Sequence, residues 1–382
     1  MNEKRPVGKI AAVLVITIAL IAGAVAYGAF RTFSSYEVKS EAALSDAGRT
    51  VFGEFAGNVV GYSRDGISCL DYDGNLLWTA SFEMATPQTV IDRKYMLVYD
   101  RGGTEIHVYD KAGKEKVIST DLPVERADIS ESGEAAVIMS DGGTHVVDLY
   151  GTDGKLLAGG ELHTENSGYP IACSVSDDGK KLLVSILDLS MGTIKTTVRF
   201  YDFSDWGAKQ KDNIAAEFSY SDMAVPFVCF FSDGRAAAFG DDQVMLYSAT
   251  QVPAESGDIY ITDEVKSIAV RSNAFALVTG KKADDATADA NADAAETLTV
   301  YSEGGREMYT KSPEFSYNDI YFLSNGELCL TDGSRADIYT DLGVRKFSDT
   351  FENGINAILP WDGATNYILV TEGRLKKVQL KS

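Results

Sequence analysis

Nucleophilic or metal chemistry in this 382-residue chain would have to come from four cysteines and three histidines. Cys69, Cys173, Cys229 and Cys329 each sit in an apolar stretch (ISCLD, IACSV, FVCFF, ELCLT). None forms C-x-x-C and none has a histidine close behind it, so they read as small buried apolar residues. A disulfide between Cys173 and Cys229 is conceivable. It needs a Cα separation of ~5.5 Å, closer than inner strands of adjacent repeat units usually come. His107 and His145 fall in expected strands at different offsets and His163 in an expected loop, which offers no three-ligand zinc spacing. No G-x-S-x-G elbow occurs, and the calcium site and stacking residues of a quinone-dependent dehydrogenase cannot be placed. The 56 acidic residues supply many carboxylate pairs for glycoside hydrolysis, too many to single one out. No catalytic, cofactor-binding or metal residue is therefore assigned, and no cofactor is expected.

Charge narrows the partners. With 35 basic residues the net charge is −21, which repels phosphate backbones and argues against nucleic acid. Residues 10–30 (IAAVLVITIALIAGAVAYGAF) contain no charge and span ~31 Å as a helix, about one hydrocarbon core. Lys4, Arg5 and Lys9 precede this run against a single Glu3. The reading is a cytoplasmic segment 1–9, a transmembrane helix 10–30 and an extracellular domain 31–382, hence a single-pass protein of the cell membrane. A cleaved signal peptide is the alternative, because Ala24-Val25-Ala26 has the small-x-small form of a cleavage site.

Beyond residue 36 the chain consists of short β-branched and aromatic runs separated by Asp, Gly, Ser and Asn turns. One element is an apolar strand ending in tyrosine before a polar turn, at Tyr72, Tyr109, Tyr150, Tyr201, Tyr247, Tyr301 and Tyr339. Upstream of it recurs a hairpin with a Ser-Asp-Gly type turn, at Ser130–Gly133, Ser176–Gly179, Ser232–Gly234 and Ser324–Gly326. Gly and Asp or Asn tolerate the positive φ that such turns demand. Units of four antiparallel strands every ~40–45 residues are the signature of an all-β fold, the β-propeller. Unit starts near residues 48, 86, 124, 169, 225, 265, 317 and 355 favour eight blades, with seven possible. The last unit runs out of chain after RLKKVQL, so YEVKSEAA (36–43), with Tyr36, Val38 and Ala42 on one side, is expected to complete it.

The Ser-Asp-Gly hairpins resemble WD40-like and TolB-like propeller repeats. DYDGNLLW, with Trp78, is similar to a repeat of the quinoprotein-like propellers, a class that includes an outer-membrane assembly scaffold. The layout as a whole resembles an uncharacterised family of membrane-anchored β-propeller proteins of Gram-positive bacteria. That resemblance covers residues 36–382 and implies the fold while saying little of activity. Two segments depart from the repeat. Residues 281–297 (KKADDATADANADAAET) have no apolar side chain larger than Ala and read as a disordered loop. Their Asp289-x-Asn291-x-Asp293 spacing lacks the glycine and the twelfth-position glutamate of a calcium loop. The connection Asp205–Asp222 carries Trp206. The leading function is a non-enzymatic binding protein or scaffold of the cell envelope, with an envelope protein or cell-wall component as partner. The alternative is an extracellular polysaccharide-active hydrolase or lyase.

Overall fold

The computed structural model describes residues 17, 30–44, 50–163, 168–190, 192–248, 250–281 and 296–382. Eight four-stranded antiparallel sheets follow one another around a ring, each with its strands in the order A, B, C, D from the axis outward. The inner A strands are Val51–Phe55, Pro87–Ile91, Val124–Ile129, Tyr169–Val175, Phe227–Phe230, Glu264–Arg271, Asp319–Phe322 and Ala357–Pro360. These define blades 1 to 8, an eight-bladed propeller.

Because each sheet is covered on both faces by its neighbours, the middle strands read as continuous apolar runs rather than alternating ones. The B strand of blade 3, Ala135–Asp141, buries its first five residues without a break. The D strand of blade 4, Ile214–Ser221, is covered less and ends in strict alternation. The core lies between blades: Leu183 and Phe200 of blade 4 pack with Ala238 and Tyr247 of blade 5 in one such cluster. The recurring tyrosines close the C strands. Their buried hydroxyls need acceptors, and Tyr109 donates to Glu115 at 2.6 Å while Tyr150 donates to Asp148 at 3.1 Å.

Blade 8 draws its D strand from the other end of the chain. Ser35–Ala43 pairs antiparallel with Arg374–Lys381, from Ser35 opposite Lys381 to Ala43 opposite Arg374. The expected closure is therefore present. The expected alternation within it is not: Val38 is 42% exposed, Tyr36 and Ala42 stay half-buried, and a bulge between Val38 and Ser40 shifts the register beyond Val38. Phe33 extends the seam by donating its N–H to Lys346 O of blade 7 at 2.8 Å.

Other details differ from expectation. His163 ends the D strand Leu156–His163 of blade 3 instead of lying in a loop. The stretch after Trp206 forms two short 3-10 turns, Gly207–Lys209 and Lys211–Asn213, and then the D strand of blade 4, so only its first half is a connection. Most of 281–297 lies outside the described residues. So does the apolar run 10–30, apart from Thr17 and Phe30, and no helix among the described residues is long and apolar enough to cross a membrane.

Candidate binding site in the central channel

A cavity of about 1240 Å3 runs along the ring axis and is lined by residues from the A strands of all eight blades. An A strand has no sheet partner on its axial side, so its outward N–H and C=O groups need other partners. Side chains from neighbouring blades supply several. The Asp128 carboxylate of blade 3 accepts from Val175 N–H of blade 4 at 2.9 Å. Ser174 Oγ of blade 4 donates to Asp128 and accepts from Phe230 N–H of blade 5 at 3.2 Å. Tyr99 of blade 2 accepts from Ala127 N–H of blade 3, and Tyr321 Oη of blade 7 accepts from Ile358 N–H of blade 8 at 3.4 Å.

Contacts also cross the A–B turns, where the Ser-Asp-Gly motif recurs. Gly133, Gly179, Gly234 and Gly326 all have positive φ there, as the motif predicts. Arg93, in the A–B turn of blade 2, donates through Nη2 to Ser232 Oγ of blade 5 at 2.7 Å, past blades 3 and 4. It passes within 3.8 Å of Glu131 and 3.9 Å of Asp177 on the way. Arg271 of blade 6 pairs with Asp341 of blade 7 at 2.8 Å and donates to Gly326 O at 2.5 Å. Glu54 of blade 1 has a buried Oε2 with no hydrogen-bond partner among the described residues, while Tyr72 Oη donates to Pro360 O of blade 8 at 3.4 Å.

Enclosure raises three of the channel carboxyls. Asp128 touches channel solvent but is packed round by protein, and burial pushes it up to about 6 against the hydrogen bonds it accepts. Burial also raises Asp92, with the charges of Asp177 and Glu131 adding to it, and burial raises Glu54. Arg126 stands two residues before Asp128 on the same strand and is exposed to the channel. The site thus offers solvated cationic and carboxyl groups within an aromatic wall that includes Phe52, Phe227 and Phe322.

The residues weighed from sequence are placed as follows. All four cysteines are free thiols, and Cys173 and Cys229 lie on adjacent A strands beside the channel without a disulfide. Burial drives every one of the thiols up, Cys69 and Cys329 to about 12, so none is a thiolate at neutral pH. His107 Nδ1 meets Glu115 at 2.8 Å far from the channel, and His145 packs edge-on to Tyr169 with burial lowering its pKa. Among the described residues no three His, Cys, Asp or Glu side chains are grouped to hold a metal ion. Sequence reasoning did not single out Asp128 or Ser174. Their signal was positional: each lies two residues before the serine of a Ser-Asp-Gly type turn, Ser130 and Ser176.

Ring, blade count and polar channel define the chain as an eight-bladed β-propeller. By sequence it belongs to a family of unknown function, DUF5711, matched over residues 29–380. No curated protein matches it significantly. Among solved structures its fold is similar to BamB from Moraxella catarrhalis, at 12% identity over 91% of this chain and 100% of that one, with a TM-score of 0.53. Hsv2 from Kluyveromyces lactis is similar at 11% identity over 80% and 98% of the two chains, with a TM-score of 0.48. The WD40 domain of Neurospora crassa Pan2 matches at 6% identity over 91% and 98%, with a TM-score of 0.47. The likeness to BamB shows the propeller fold.

Proposed function

We propose that this protein is a non-enzymatic, membrane-anchored binding scaffold of the cell envelope, held by residues 10–30 with residues 1–9 in the cytoplasm and the propeller outside. Its partner is an envelope protein or a cell-wall component. The observation that supports this reading best is how the channel's polar groups are used. Asp128, Ser174, Arg93 and Arg271 are engaged in holding one blade to another, which makes a rigid ring that presents loops. A second reading, a polysaccharide hydrolase or lyase, draws on the raised Asp92 and Asp128 carboxyls of the same cavity.

A membrane-impermeant amine crosslinker applied to intact cells tests the first reading. The expected result is a discrete adduct of the full chain with one envelope component, recovered from the membrane fraction. No reaction until the cells are lysed would overturn the orientation, and reaction without any adduct would overturn the partner. Cleavage of cell-wall polysaccharide by the purified chain, abolished in Asp128→Asn, would establish the second reading instead.

A further inference from the structure

Around the chain ends, exposed apolar residues flank segments that backbone and side-chain contacts hold together. The A–B turn of blade 8 contains Trp361, 39% exposed, with Lys377 Nζ 4.5 Å from its ring centroid. Thr365, in the same turn, accepts from Leu380 N–H at 2.8 Å, which fixes the C-terminal strand end beside it. Two residues on, Ser382 Oγ takes a hydrogen bond from Arg31 at 3.1 Å. Arg31 also lies over the Phe33 ring at 4.7 Å, and Phe33 is fastened to Lys346, three residues after the turn holding Leu342. Leu342 is 58% exposed and Phe30 63% exposed.

We propose that this edge of the ring is a lipid-contacting surface: Trp361, Leu342 and Phe30 rest in the interfacial layer of a bilayer, with Arg31 reaching to its headgroups. The inference depends on the anchor reading above, because it takes residues 10–30 to be in that bilayer. The tether then dictates the contact. Phe33 is bound to the ring, and three residues back to Phe30 span at most roughly 11 Å. The ring therefore has no flexible stalk and is held against the surface at the seam between blades 7 and 8. The chemistry agrees: a half-exposed tryptophan is a common interfacial anchor, and here Lys377, itself paired with Asp73 at 2.5 Å, holds the Trp361 ring in place. Lipid rather than a protein is the occupant because the short link from Phe33 to Phe30 leaves no room for a partner between this edge and the bilayer.

The test uses the full chain reconstituted into phosphatidylcholine–phosphatidylglycerol vesicles, with and without lipids brominated near the headgroup. Bromolipid should lower tryptophan emission by up to about one third, the share of one of three tryptophans, and Trp361→Phe should abolish that loss. Leu342→Trp should add new quenching to either background, which keeps the test independent of how Trp361→Phe folds. Protein that floats with the vesicles but shows no bromolipid-dependent loss, or the same loss in Trp361→Phe, overturns the lipid contact alone. Protein that fails to float with them overturns the anchor and the contact together.

Discussion

Asp128 shows how one residue serves the ring at a cost that pH should expose. Its carboxyl is raised to about 6 in the folded chain, above the ordinary aspartate value, so between roughly pH 4 and 6 the folded state binds the extra proton. The stabilising effect of that protonated form is fully present below the unfolded value and is lost as pH rises through 6. Asp128→Asn keeps a carbonyl for Val175 N–H and removes the titration. Its stability relative to the parent should therefore climb from pH 4 to 7, by up to roughly 3 kcal/mol and less where channel solvent screens the charge. Denaturant melts across that range check it. A difference that stays flat with pH would mean the carboxyl titrates normally.

At the scale of elements, the contact that recurs is an outer-strand side chain of one blade lying on the C–D turn glycine of the next. Trp78 of blade 1 covers Gly113 of blade 2 while stacking on Tyr109 at 5.3 Å, and Tyr309 of blade 6 covers Gly343 of blade 7. Both glycines also have positive φ. Gly113→Ala should thus incur two penalties, a left-handed backbone costing about 1–2 kcal/mol and an overpacked Trp78 costing about 1–3 more. Gly57, at φ 74 with open space around it, isolates the first. The expected outcome is that Gly113→Ala lowers thermal stability clearly more than Gly57→Ala and blue-shifts or dims the Trp78 emission. Equal losses would show that the tryptophan yields without cost. The Trp78 repeat that resembles the quinoprotein-like propellers is, in this chain, a blade-to-blade joint.

For the whole molecule the decisive bond is between its two ends. Without Ser35–Ala43 the last blade exposes the edge of Arg374–Lys381, and Phe33 and Leu44 leave their buried sites. A chain beginning at Ser45 should melt well below one beginning at Arg31, or aggregate, when both are followed by circular dichroism and light scattering. Matching melting curves would mean that three strands suffice for blade 8. The same seam holds the buried Lys346, which bonds Glu327 at 2.5 Å and Tyr367 Oη at 2.8 Å, so opening it also threatens a desolvated ion pair.

Much of this was legible in local order. Strand, turn and repeat are short-range properties: a Ser-Asp-Gly turn needs its glycine wherever it occurs, and apolar runs sandwiched between blades look alike in every unit. The eight units and the terminal strand that completes the last could accordingly be read from residues alone. The bulge after Val38 could not, because it depends on register against Arg374–Lys381, more than 330 positions away. Neither could the channel. Asp92, Asp128, Ser174 and Ser232 are scattered over four units and come together only when the ring closes, so a place before a Ser-Asp-Gly type turn hints at Asp128 and Ser174 while nothing local shows which side chains they meet. Sequence settled what each blade is, since hydrogen bonding and burial within a blade are set by neighbours in the chain. Tertiary structure alone decided which side chains face one another across the axis, since curvature and closure are properties of all eight blades at once.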